Sequence, residues 1–250
     1  MFDALLHARS LRPRDLADLV FFGVEGGLVP SDDAVPASTG AAVRRGWDEV
    51  VLAVRRLRGA GLAAWGALGV HPRRVPLRGL EALLADLPRA LGRPEIAAVG
   101  AVGLDAGGEL EERVLLRQLE LARELRLPAV VATPWRGKER VTRRLLALLR
   151  EAELEPARVL VTGADARTVR AIRACGFHAG LSLSGEGLER AVDLVATLGP
   201  EGLVLGTDAG LAGGDLLSLS RAADRLGRAG LSEAVVRRVC GANALAFLGR

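Results

Sequence analysis

The sequence predicts an α/β fold, a (β/α)8 TIM barrel forming a single domain over residues 1–250, on three observations. Eight short runs of apolar and β-branched residues alternate along the whole chain with segments whose apolar residues recur at helical spacing. Strands that alternate with helices pair in parallel through helical crossovers. Eight such units in 250 residues match the size of a closed barrel. The alternative is an open doubly wound sheet, and the lack of a Gly-x-Gly-x-x-Gly stretch opening a helix after the first strand counts against its nucleotide-binding form.

The elements follow in order. Phe2 to His7 reads as the first strand, and Leu19 to Val24, continuing through Val29, as the second. Residues 31–40 read as a loop. Trp47, Val50, Val51, Val54 and Leu57 then recur at helical spacing, with Arg44, Arg45, Arg55 and Arg56 on the solvated faces. The third strand, Leu62 to Val70, runs into His71-Pro72-Arg73-Arg74 and a helix carrying Leu80, Leu83, Leu84 and Leu87. Ile96 to Leu104, built of small and β-branched residues, is the fourth strand, and Leu115, Leu119, Ala122 and Leu125 mark its helix. Pro128 to Thr133, Arg158 to Thr162, Phe177 to Leu183 and Gly202 to Asp208 complete the eight, each followed by a helical pattern. Two helical segments close the chain, the second N-capped by Ser232.

Composition narrows the function classes. Half of the residues are apolar, enough for a substantial core, yet every apolar run falls well short of the roughly 20 residues that cross a bilayer. The N-terminus lacks the basic region of a secretory signal, so the expected location is cytoplasmic, with no membrane association. The formal charge is only +4, and Lys138 is the single lysine among 34 basic residues. That skew reads as compositional bias, and no basic run, aromatic platform or zinc-finger spacing marks a dedicated nucleic-acid module. Cys175 and Cys240 have no metal-type spacing and read as core residues.

A barrel carries its chemistry at the C-terminal ends of its strands, which here are His7, His71, Ala101, Ala132, Gly163 and Asp208. His7, His71 and Asp208 are the catalytic candidates. Strands one and eight become neighbours when the barrel closes, so His7 and Asp208 are expected at one mouth. Each also has a plain structural reading: the histidines as buried hydrogen-bonding residues, Asp208 as an acceptor of backbone N–H groups in its glycine-rich turn. His178, inside the seventh strand, reads as a packing residue.

Read together, Phe2-Asp3-Ala4-Leu5-Leu6-His7, Gly69-Val70-His71-Pro72-Arg73, Ala98 to Asp105, Gln118 to Leu125, Leu127 to Pro134 and Thr207-Asp208-Ala209-Gly210 resemble the TatD-like metal-dependent hydrolases, most closely their archaeal-type subgroup. The resemblance runs nearly end to end. It implies an amidohydrolase-type barrel with a divalent-metal site that activates water and hydrolyses a phosphoester, usually DNA. The family pattern supplies a His-x-His on strand one, a Glu on strand four, histidines on strands five and six and an Asp on strand eight. Against that pattern, Leu5, Ala101, Ala132 and Gly163 stand where four of the ligands are expected, while His7 and Asp208 remain. None of the four can hold a cation.

Two classes of function follow. In the first, the chain is a ligand-binding or scaffold barrel without metal catalysis, its mouth roomier and more apolar, needing no cofactor and binding a small molecule or phosphoester through Arg73, Trp135 and Arg136 beside His7, His71 and Asp208. Trp135 and Arg136 have the alternative reading of an exposed helix start. In the second, the chain is an enzyme. It is then either a hydrolase with a single Zn, Mn or Mg ion on His7, His71 and Asp208, or a metal-free catalyst pairing a histidine with Asp208. A protein partner or a homo-oligomer is a third possibility.

Overall fold

In a computed structural model the chain forms eight parallel strands paired strictly in sequence order, β1-β2-β3-β4-β5-β6-β7-β8. The structure describes residues 1–32 and 38–250. The strands are β1 (Phe2–Asp3), β2 (Gly26–Pro30), β3 (Ala63–Leu68), β4 (Ile96–Gly103), β5 (Ala129–Ala132), β6 (Val159–Thr162), β7 (His178–Ser182) and β8 (Leu203–Gly206). Between them lie α1 (Pro13–Phe21), α2 (Gly40–Gly59), α3 (Leu80–Leu91), α4 (Glu109–Glu124), α5 (Lys138–Glu151), α6 (Val169–Ala174) and α7 (Gly187–Leu198). After β8 come α8 (Ser218–Arg228), α9 (Glu233–Arg237) and α10 (Asn243–Leu248). This is the predicted (β/α)8 barrel, in one unit over the chain.

Backbone hydrogen bonds and one buried side chain close the seam between β1 and β8, and beyond them the His7 N–H donates to Ala209 O at 2.8 Å. The Ala4 N–H donates to Leu205 O at 3.3 Å and the Asp208 N–H to Leu5 O at 3.0 Å, flanking the seam. Between them the fully buried Asp3 carboxylate accepts the N–H groups of Leu5 and Thr207, both at 3.0 Å, and the Thr207 hydroxyl. Because Asp3 captures the Leu5 N–H, regular strand geometry stops there. β1 therefore covers two residues, and Ala4 to His7 continues as buried irregular chain.

Two apolar layers surround the sheet. The outer layer packs strands against helices and includes Trp47, whose indole N–H donates to Gly69 O at 2.9 Å. The inner layer fills the barrel with Leu5, Leu28, Ala67, Ala98, Ala101, Val130, Leu160 and Val204. Phe247 and Leu248 of α10 join this inner cluster with Phe2, plugging the end where the strands begin. His178 belongs to that end: its ring lies edge-on to Phe247, with centroids 6.1 Å apart, and its Nε2 is 3.1 Å from Ala157 O. It is a packing residue, far along the barrel from the strand C-termini.

One predicted element differs. Leu19 to Val24 is not a strand; it is the end of α1 and the turn after it, and β2 starts at Gly26. The helix is set by Pro13 in its first turn and by Asp15, whose carboxylate accepts the Arg12 N–H at 2.7 Å. Its buried face is Leu16 and Leu19, three residues apart, whereas Val20, Phe21 and Phe22 are exposed, so a run that looks like a strand is divided between two faces. The loop predicted over residues 31–40 is described only at 31–32 and 38–40; the rest lies outside the described residues. The last helical segment is capped as predicted, Ser232 Oγ accepting the Val235 N–H at 3.4 Å, but a π turn over Arg238–Ala242 divides it into α9 and α10. Cys240 is buried, and burial pushes its thiol up to about 12; Cys175 is partly buried, and both are free. Among the described residues no helix is long and apolar enough to cross a membrane.

Burial raises the Asp3 carboxyl to about 6 against the lowering effect of its Thr207 and Leu5 hydrogen bonds, with the Asp208 charge adding to the rise. A folded pKa above the unfolded value means that the folded chain holds the extra proton between about pH 4 and 6. The seam's contribution to stability therefore falls as pH rises through that window. Comparing denaturant unfolding of the wild type with Asp3→Asn across pH 3–8 should isolate this slope; parallel curves would contradict it. Asp3→Ala, which strands two buried N–H donors, should cost about 1–3 kcal/mol for each.

Candidate functional site at the barrel mouth

The seam delivers two of the three predicted catalytic residues to one place. His7 Nδ1 is 3.1 Å from Asp32 Oδ2, and His7 Nε2 is 3.7 Å from Asp208 Oδ1. Asp208 sits at φ 53°, in the left-handed region that an Asp tolerates better than most residues. The turn passes so close to His7 that a Cβ on Gly210 would lie 2.0 Å from His7 O, so only glycine fits there. Ser182, at the end of β7, donates to Asp208 Oδ2 through a short hydrogen bond, and Ser182 and Ser184 hydroxyls lie 2.8 Å apart. Arg9 approaches the other oxygen of Asp32 at 3.5 Å and pairs with Glu49 at 3.0 Å.

With a carboxylate facing each ring nitrogen, His7 is held as an imidazolium that donates from Nδ1 to Asp32 and forms an ion pair with Asp208 through Nε2. Burial works against that charge, but the hydrogen bonds and charges of Asp208 and Asp32 prevail and hold the ring at about 9.

The third candidate, His71, shares the lining of one small cleft with Asp32, the carboxylate that faces His7 Nδ1. It caps a single 3₁₀ turn, Pro72–Arg74, and its Nδ1 accepts the Arg73 N–H at 3.3 Å. It lines a small cleft with Arg9, Asp32, Trp47 and Arg74, about 30 Å³ in volume, room for little more than one water. Arg73 lies over the Trp135 ring, 5.5 Å from its centroid, and 3.9 Å from Asp105. Trp135 is 80% exposed and Arg136 is exposed beside it, so both occupy the bend before α5, where Arg73 stacks on Trp135.

The four apolar or small residues at the strand ends are integrated into the barrel. Leu5 and Ala101 are buried in the inner cluster and Ala132 packs against it, half-buried. They therefore do not line a roomier open chamber; the apolar filling of the barrel simply continues to its rim. Gly163 has φ +69°, and a Cβ built there would lie 3.0 Å from Thr133 Oγ1 and 3.5 Å from Lys138 Nζ. The backbone at the end of β6 is thus shaped for glycine.

Asp32 and Ser182, which complete the His7–Asp208 pair, are not singled out by the sequence. Asp32 stands in a segment whose composition reads as loop, and Ser182 is one of two serines in Ser182-Leu183-Ser184. The available signal was positional: both follow a strand closely, where barrel sites are built.

A single barrel with a polar cluster at its strand C-termini is the architecture of the amidohydrolase-type enzymes. The family model described as TatD related DNase matches residues 33–211, and the chain belongs to that family. An uncharacterized metal-dependent hydrolase of Methanocaldococcus jannaschii is 29% identical over 170 residues, 68% of this chain and 67% of that protein. The crystal structure of a TatD-like protein from Archaeoglobus fulgidus superposes with a TM-score of 0.84 over 100% of both chains at 25% identity. A TatD homolog from Escherichia coli shares the fold at 19% identity, with a TM-score of 0.75 over 100% of this chain and 98% of that one.

An NMR titration of the His7 ring should give a pKa near 9, and Asp208→Asn should lower it; a wild-type value near the ordinary 6.5 would contradict the paired geometry. Because the folded value is the raised one, the stabilisation from His7 is complete below about pH 6.5 and is lost as pH rises through about 9.

Proposed function

We propose that this TatD-family barrel binds a small ligand at its mouth without divalent-metal hydrolysis. The observation that carries the reading is that the inner apolar cluster reaches the rim through Leu5 and Ala101, with Ala132 packed against it. A hydrolytic metal site needs several nitrogen and oxygen donors converging on one point, so that the ion is held and its bound water acidified. The donors at this mouth do not fit that requirement. His7 is engaged by a carboxylate at each ring nitrogen, Asp208 accepts from Ser182, and the Nδ1 of His71 accepts the Arg73 N–H. Among the described residues no group of three His, Cys, Asp or Glu side chains is arranged to hold an ion. His7, Asp208 and the Arg73–Trp135 stack supply the polar and aromatic contacts that would orient a ligand, Arg136 standing beside them.

A second reading, a hydrolase with one Zn, Mn or Mg ion, is favoured by the 3.7 Å approach of His7 Nε2 to Asp208 Oδ1, and by the activities that the names of the family and its relatives carry. In that case Asp208→Asn abolishes both metal retention and activity.

Elemental analysis of protein purified without chelator, with a phosphodiester assay in added Mn or Mg, separates the two. The proposed reading gives metal well below one ion per chain and no turnover above an Asp208→Asn control. One tightly held ion per chain, or turnover that Asp208→Asn removes, would overturn it. Ala101→Glu should not recover metal by itself, since three of the positions the family pattern fills with donors stay empty of them; recovery would mean that the remaining donors suffice.

A further inference from the structure

We propose that the rim between β5 and β6 is an oxyanion-binding site, for a phosphate or carboxylate group, anchored by the ammonium of Lys138. The inference rests on the metal-free reading and specifies the chemistry of the ligand. Lys138 opens α5 and reaches back to Thr133, at the end of β5, donating to its hydroxyl at 2.6 Å. That hydroxyl in turn donates to Thr162 O at 2.8 Å, so the ammonium, the threonine and the β6 backbone form a directed chain. Nζ lies where the end of β6 leaves space: a Cβ on Gly163 would already be 3.5 Å from it.

An ammonium has three donors, and Thr133 takes one. No carboxylate among the described residues lies within 4.0 Å of Nζ. Asp165 is near enough to favour its charge, but Asp165 Oδ1 already accepts from the Thr168 hydroxyl at 2.7 Å and from the N–H groups of Arg167 and Thr168. Lys138 is half-buried, and burial presses its pKa downward, the mark of a charge short of compensation. An oxyanion accepting the two spare N–H groups would supply that compensation.

The choice of residue points the same way. Among the 34 lysine and arginine residues of the chain, all but this one are arginines. A compact ammonium fits beside Thr133 and Gly163, where a planar guanidinium fork would need more room. Arg136, exposed two residues before Lys138, adds positive charge to the same bend.

The test is calorimetric titration of inorganic phosphate, and separately of acetate, into the full chain in excess EDTA. Wild type should bind saturably, with phosphate the tighter if the natural group is a phosphate and acetate the tighter if it is a carboxylate. Lys138→Met, which removes the charge and both spare N–H donors, should weaken binding by at least about 10- to 100-fold, the fold-change of one lost charge-assisted hydrogen bond, and Lys138→Arg should also weaken it. Lys138→Gln serves if the Met variant does not fold, and Arg228→Met, at an exposed pair with Asp224, should leave affinity unchanged. No saturable binding below about 10 mM, or binding that ignores Lys138, overturns this inference and leaves the metal-free reading standing. Binding that appears only when a divalent ion replaces the EDTA overturns the metal-free reading instead.

Discussion

The barrel depends on how its first and last strands are joined. A closed sheet must match its ends, and here β1 is two residues long, too short to offer a full ladder to β8. Backbone bonds at Ala4, Leu5 and His7 carry the seam past the strand, and the Asp3 carboxylate adds to them by binding the backbone and hydroxyl of Thr207 across it while also holding the Leu5 N–H. The cost is a buried carboxyl whose ionisation is opposed by its surroundings. The gain is positional: His7 lies four residues beyond Asp3 and Asp208 one beyond Thr207, so the clasp that closes the barrel also sets the distance between the two polar groups of the mouth.

The same seam separates what is retained at the mouth from what differs. On the β1 and β8 side, His7, Asp32, Asp208 and Ser182 form a connected polar cluster. Across the mouth, the ends of β4 and β5 present Ala101 and Ala132, continuous with the apolar filling of the barrel, and β6 ends in a glycine in the left-handed region. The charge on that side comes from a lysine tied to Thr133, a monovalent group that cannot polarise water as a divalent ion does. On the proposed reading, the two halves serve recognition of a small anionic or polar molecule rather than in-line attack on a phosphodiester.

Much of this was legible in the sequence, for physical reasons. The strand runs are apolar because strands of a parallel barrel are buried on both faces, and the helices show their 3.6-residue period because only one face of each is buried. The His7–Asp208 proximity followed from closure alone. What was hidden depended on three-dimensional partners. Leu19 to Val24 has strand composition, and only the placement of Leu16 and Leu19 against the barrel makes it the end of a helix. Asp32 and Ser182 carry no motif; their significance lies in which atoms they face. Lys138 stood out only as the single lysine, and its position behind Gly163 required the backbone.

A mouth that assembles no divalent-metal site, as proposed, leaves added Mn2+ free in solution. On that account, in a titration of the chelator-treated protein with Mn2+, the six-line EPR signal of the free aqua ion should grow in proportion to added Mn2+, as in buffer alone. Loss of one equivalent of signal per chain, restored by Asp208→Asn, would contradict it.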